Sequence, residues 1–235
     1  MKRIFKFSCL ALLLAAVFAG CIAGWVRPGL LRGTPNDGHQ LGGDLMPEIP
    51  GNTLEAFEAA ITKLESRPKY LYSECDIRET KDNQLVVFHD WDIRGVPNTD
   101  RNRESLGEDV GKQPVCELTL EQLQGLELEG GCRIPTLEEV LQKAIELKPA
   151  KPLLLEVKYL HSKAAGQQLI QSAKQFRSAG QACELEIHFL AFIRNINRSF
   201  PNPEQWLEEC SKNGFRVYQA FRPKTEEYDL CETWN

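Results

Sequence analysis

Apolar positions along the chain switch repeatedly between helical and strand spacing. Asn52 with Glu55 three residues on reads as a capping box, after which Leu54, Phe57, Ile61 and Leu64 share one helical face. Residues 70–77 and 85–89 read as strands. Thr136 and Glu139 cap a helix that runs to about Leu147. From Pro152 to Lys158 the apolar run carries charge only at its end, the pattern of a parallel strand covered on both faces. Residues 162–178 are helix-like and lead to a strand at 185–190. Asn202-Pro203 then opens a helix that stops near Gly214 and gives way to a strand at 215–218.

This alternation predicts a parallel α/β fold, with reactive side chains at the carboxyl ends of strands as in a TIM (β/α)8-type barrel. No GxGxxG or Walker pattern supports a doubly wound nucleotide-binding sheet. Only two clear strands follow Lys158, so the expected barrel is short of strands at its C-terminal end.

The chain has 235 residues, and repeats, low-complexity blocks and long linkers are absent from its sequence. One domain over 37–235 is expected, joined by a Gly- and Pro-containing segment at 25–36 to a distinct N-terminal stretch, residues 1–24. There Lys2, Arg3 and Lys6 precede an uncharged apolar run, the arrangement of a secretory leader. Phe18-Ala19-Gly20-Cys21 resembles a lipobox, which would make the protein a lipoprotein attached through Cys21; the alternative is an uncleaved membrane anchor. Either reading exports the body, leaving it periplasmic or membrane-anchored.

Charge separates these parts further. The chain carries 28 basic and 33 acidic residues, and setting aside the three leader cations leaves 25 against 33, a net charge of −8. So acidic a body argues against a nucleic-acid partner. If it handles phosphate, a metal ion is expected to assist. Six cysteines remain in the body: Cys75, Cys116, Cys132, Cys183, Cys210 and Cys231. Their spacings match no compact disulfide framework, although Cys116 with Cys132 would close a short loop, and buried free thiols fit equally well.

Candidate chemistry begins with Glu74 and Asp76, two apart on a strand and therefore on one face, with Cys75 on the other. Two carboxylates this close repel unless a cation separates them, and hard oxygen ligands suit Mg2+ or Ca2+. Glu156 follows three leucines on a strand that reads as fully buried, so its charge requires a partner or a metal. Lys158 shares its face and is either that partner or a phosphate contact. His39 in a Gly-rich turn and His89 at a strand end suit acid–base catalysis near a metal. His161 and His188 sit in no comparable motif.

At these residues the sequence resembles the glycerophosphodiester phosphodiesterase family, through Gly38-His39, Gly51-Asn52-Thr53-Leu54-Glu55-Ala56-Phe57, Glu74-Cys75-Asp76-Ile77, Leu85-Val86-Val87-Phe88-His89-Asp90, Ile134-Pro135-Thr136-Leu137-Glu138-Glu139-Val140-Leu141 and Leu155-Glu156-Val157-Lys158. The resemblance implies a TIM-barrel hydrolase that uses one divalent cation to cut a small-molecule glycerophosphodiester into glycerol 3-phosphate and an alcohol. It implies Glu74, Asp76 and Glu156 as metal ligands, His39 and His89 as the acid–base pair, and Lys158 near the phosphate. Gln40 stands where the family usually has Arg, supplying a hydrogen bond without charge, and Gly51 stands where it has Glu. Two competing readings share these residues: phospholipase D-like head-group cleavage giving a cyclic phosphate, and a barrel-derived binding protein without turnover.

Overall fold

The computed structural model describes residues 36–97, 99–107, 111–179 and 185–219. The predicted leader and connecting segment lie outside the described residues, apart from Asn36, as do Cys183 and Cys231. A five-stranded sheet forms the centre, from β1 (Ser73–Glu79), β2 (Leu85–Val87), β3 (Leu153–Val157), β4 (Ile187–Ala191) and β5 (Val217–Gln219), in the order β2-β1-β3-β4-β5. Pairing is parallel from β1 through β5, as the strand–helix alternation predicts. The exception is β2, which runs antiparallel to β1 because a turn at Thr80–Gln84 folds it straight back.

Seven α-helices connect these strands among the described residues: α1 (Leu54–Lys63), α2 (Asp100–Leu106), α3 (Leu120–Gly125), α4 (Leu137–Leu147), α5 (Ala165–Ala179), α6 (Ile193–Ser199) and α7 (Pro203–Lys212). The cap of α4 is the predicted Thr136–Glu139 box, and Asn202 caps α7 with Pro203 in its first turn. At α1 the expectation fails. Its N-cap is Thr53, whose hydroxyl accepts from Ala56 N–H, and Asn52 is used elsewhere. None of the described helices is long and apolar enough to cross a membrane.

Both faces of the sheet are covered. Cys75, Ile77, Leu153, Leu155, Val157, Ile187 and Phe189 face the helices and anchor the main core. The opposite face alternates with them and carries Tyr72, Leu154 and Leu190 as a small apolar cluster, continued by Glu74, Asp76 and Glu156. A third cluster, including Val86, Ile93, Leu118, Leu123 and Ile134, packs residues 86–134 around α3.

Cys75, Cys116, Cys132 and Cys210 are free thiols, so no Cys116–Cys132 bridge closes the expected loop. His188 is structural: its Nδ1 accepts from Arg216 N–H at 3.2 Å and its Nε2 donates to Glu186 at 2.7 Å.

Candidate active site

The register of β1 and β3 assembles the acidic centre. Asp76 lies directly opposite Glu156, and Glu74 precedes Asp76 on the same face, two residues away. Each offers an oxygen within 4.8 Å of the others, and all three residues are buried. Asp76 and Glu156 sit near the end of the parallel ladder between β1 and β3, whereas Glu74 lies near its start, opposite Leu154; β1 itself continues to Glu79. The strand-end expectation therefore holds for Glu156 but not for β1, where Glu74 lies near the start of the strand and Asp76 at its middle.

Their environment works against ionisation. Burial first, and then the charge of Asp76, pushes Glu74 up to about 8. Burial likewise raises Glu156, against the pull of Lys158. Asp76 ends below its ordinary range because Lys158, His89 and Asn52 together overcome its burial. Lys158 Nζ stands 2.7 Å from Asp76 Oδ1 and 2.6 Å from Glu156 Oε1, which meets the expectation of a partner for Glu156. Glu74 Oε1 is buried and accepts no hydrogen bond. An unsatisfied oxygen among three converging hard ligands fits a divalent cation.

Asn52 holds this arrangement in a way that local sequence patterns do not reveal. Its side-chain amide donates to Asp76 Oδ2 at 2.7 Å, and its Oδ1 accepts from Asp76 N–H at 3.1 Å. It does so from a left-handed backbone, φ 62°, which asparagine tolerates better than most residues. Replacing Asn52 by Ala is expected to destabilise the fold by about 2–4 kcal/mol, through two lost buried hydrogen bonds and a less compatible φ. Divalent-cation affinity should fall about 10- to 100-fold. Asn52→Gly, which relieves the backbone, separates the two effects: titration calorimetry should still show the affinity loss, and an unchanged affinity would deny Asn52 this role.

His39 is presented by a strained turn. Gln40, Leu41 and Gly42 follow it with φ of 48°, 56° and 85°. Two left-handed non-glycine residues in succession are costly, by about 1–2 kcal/mol each. The turn persists because Leu41 is fully buried, Gln40 N–H donates to Glu74 Oε2 at 3.0 Å, and Gln40 O accepts from Asn52 N–H. Gly38 is also required, since a Cβ there would lie 2.0 Å from the Tyr72 carbonyl oxygen. The Gln40 side chain lies against Gly51, in space that a Cβ on Gly51 would contest, so these two departures from the family pattern fit one another.

His39 Nδ1 donates to Asp44 at 2.6 Å, leaving Nε2 at 3.8 Å from Glu74 Oε2. Burial would lower its pKa, but Asp44, Glu74 and Asp76 outweigh that and hold it at about 9. His89 lies just past β2 in a loop, not on the strand as expected, and its Nδ1 donates to Asp90 at 2.8 Å. Asp44 carries no sequence signal. Arg78, two residues beyond Asp76 on the same face, donates to the His89 carbonyl at 3.1 and 2.6 Å and fixes that loop. Beyond Lys158, Glu79 accepts from His161 N–H at 2.7 Å and Ser162 N–H at 2.8 Å, tethering the turn that follows β3.

Two hollows meet at His89. One, about 690 Å3, is lined in part by Arg78, Asp90, Trp91, Lys158 and Tyr159. The other, about 200 Å3, is lined by Gln40, Asn52, Phe88 and neighbours. Carboxylates, histidines and a lysine converging on a parallel sheet define an acid–base centre suited to a cation and an anionic substrate.

The chain belongs to the glycerophosphoryl diester phosphodiesterase family, whose model matches residues 41–221. It is a phosphodiesterase, a hydrolase of phosphoric diesters. Among solved structures it is similar to a glycerophosphodiester phosphodiesterase from Agrobacterium tumefaciens, at 18% identity and a TM-score of 0.52 over 81% of this chain and 67% of that one. Two further similar proteins, provisionally assigned to the same activity, come from Galdieria sulphuraria and Silicibacter pomeroyi. The first is 21% identical with a TM-score of 0.54, covering 87% of this chain and 70% of that one. The second is 18% identical with a TM-score of 0.56, covering 88% and 70%. At such identities the likeness shows the fold, α/β of the TIM-barrel type. No curated protein matches the chain.

Proposed function

We propose that this phosphodiesterase hydrolyses a glycerophosphodiester to glycerol 3-phosphate and an alcohol with one divalent cation, Mg2+ or Ca2+. One observation carries the reading: three buried carboxylates with oxygens within 4.8 Å of one another, beside two histidines each oriented by a carboxylate. Glu74, Asp76 and Glu156 would hold the cation. When bound, it offsets phosphate charge and orients the substrate's oxygens.

The chain's own groups supply the remainder. Lys158, already beside two of the carboxylates, presents an ammonium to a phosphate oxygen approaching them. Gln40 offers an uncharged hydrogen bond from the small hollow, which suits the glycerol half. His39 and His89, each anchored through Nδ1, keep Nε2 for proton transfer. One donates to the departing alcohol oxygen while the other accepts from the attacking nucleophile. Secretion, with attachment through Cys21 or a retained apolar segment, rests on residues 1–24; the mass of the mature N-terminus tests it, since a lipidated Cys21 supports the lipoprotein and an intact Met1 supports the retained anchor.

The full chain, assayed on glycerophosphocholine with Mg2+ or Ca2+, is expected to release glycerol 3-phosphate and to stop in EDTA. His39→Ala and His89→Ala should each lower kcat by about 10^2–10^4. Turnover indifferent to EDTA and to both substitutions would reject the site, and a cyclic phosphate product would replace hydrolysis with the phospholipase D-like route.

A further inference from the structure

The larger hollow has a second wall that the proposed chemistry leaves unused. Besides Arg78, His89 and Lys158, it is lined by Phe192 just before α6 and by Arg194, Asn195 and Arg198 on that helix. The charges facing it are unevenly matched. Lys158 is committed to Asp76 and Glu156, Arg78 to the His89 carbonyl, and Asp90 to His89 Nδ1. Arg194 and Arg198 are exposed, and among the described residues neither forms an ion pair.

The helix that carries these two arginines is held in place. Asn195 donates to the Val157 carbonyl at 3.2 Å and Ser199 Oγ accepts from Leu160 N–H at 2.9 Å, which docks α6 on the end of β3. Arg194 lies 5.2 Å from the Phe192 ring centroid, so the aromatic face also restrains it. Four residues apart on one helix, the two cations share a side and repel each other. Two like charges carried on one docked helix and lining a substrate hollow, on a chain of net charge −5, suit an anion.

We propose that Arg194 and Arg198 bind a phosphate on the alcohol half of the diester, so that the preferred substrate is a glycerophosphodiester whose alcohol carries a second phosphate. This rests on the hydrolytic reading of the same site. There the scissile phosphate is met by the acidic centre and Lys158, and the glycerol half takes the 200 Å3 hollow. The 690 Å3 hollow is left for the alcohol. Trp91 and Tyr159, ring centroids 5.6 Å apart, offer apolar faces to the carbon skeleton of a polyol ring. A quaternary ammonium would instead meet two cations that have no ion-pair partner among the described residues, and one of the hollow's aromatic faces, Phe192, is already covered by Arg194.

The test compares glycerophosphoinositol 4-phosphate with glycerophosphocholine in the parent, the Arg194→Gln/Arg198→Gln variant and the Arg194→Lys/Arg198→Lys variant. Calorimetry with inositol 4-phosphate alone reports binding without turnover. The parent is expected to favour the phosphorylated diester at least about tenfold in kcat/KM. The glutamine variant should reduce that preference at least about tenfold, chiefly through KM, and weaken inositol 4-phosphate to a similar degree, while the lysine variant retains part of both. An equal preference in parent and glutamine variant, or binding of inositol 4-phosphate that does not depend on the arginines, overturns the proposal. A parent that hydrolyses glycerophosphocholine but binds inositol 4-phosphate no better than the glutamine variant keeps the hydrolytic reading and rejects this one. Arginine-dependent binding in a parent that hydrolyses neither diester upholds the anion site and rejects the hydrolytic reading.

Discussion

Replacing Glu74 and Asp76 together by alanine is expected to abolish cation-dependent turnover, by at least about a thousandfold in kcat/KM, while the protein stays folded. Two of three converging oxygen ligands disappear, and Glu156 alone cannot hold a divalent cation against water. The fold survives for a reason visible in the charge balance. Glu74 is costly to bury ionised, and Lys158 keeps Glu156 as its partner after Asp76 is gone. Asn52 loses its acceptor, which costs about 1–3 kcal/mol. The pair Glu74→Gln and Asp76→Asn keeps the shapes of the side chains, and leaves an oxygen for Gln40 N–H, yet removes both charges. It should be equally inactive with a thermal unfolding midpoint near the parent's. Cation-dependent turnover in either folded variant would place the chemistry elsewhere.

The acidic centre is legible in the sequence because a strand has a period of two and because Glu156 ends a run of leucines. Neither fact depends on distant parts of the chain. Asn52 misleads because an Asn–x–x–Glu spacing fits a capping box, whereas the adjacent Thr53 takes that role and frees Asn52 to bind Asp76, 24 residues away. No local pattern carries such a partner. The same holds for Asp44, which becomes significant only after the turn at Gln40–Gly42 brings it to His39. Segments 100–106, 120–125 and 193–199 escape prediction because helices of six or seven residues span too few turns to display a periodic apolar face. The last of these carries Arg194 and Arg198, which are hidden with it. The short count of strands after Lys158 agrees with the described residues, where β4 and β5 alone follow β3.

Stability in EDTA is expected to fall as pH rises from about 5 to 8, and a divalent cation should reverse the loss most strongly at the upper end. Glu74 sets the sign. Its ordinary value is 4.5 and burial raises it to about 8, so between these values the folded protein holds a proton that the unfolded chain has released. Unfolding then releases a proton, and stability declines with pH at up to about 1.4 kcal/mol per unit. Glu156, also raised, acts in the same sense, and so does His39 between 6.5 and about 9. His188, lowered by burial, acts oppositely and only below 6.5; Asp76 matters only below its ordinary 3.8. A cation that binds the folded centre competes with the Glu74 proton, so its affinity grows towards pH 8. At a hundred times its dissociation constant it adds about 2.7 kcal/mol, enough to move the unfolding midpoint by several degrees. Glu74→Gln isolates the cause, since it removes the Glu74 share of the slope in EDTA and, by removing a ligand charge, most of the cation's effect. Denaturant unfolding at pH 5, 6, 7 and 8, with EDTA or with excess Mg2+ or Ca2+, reads both quantities. A parent whose stability is flat across that range in EDTA, or a Glu74→Gln variant that the cation stabilises as much as the parent, would show that Glu74 neither carries the buried proton nor yields its place to a metal.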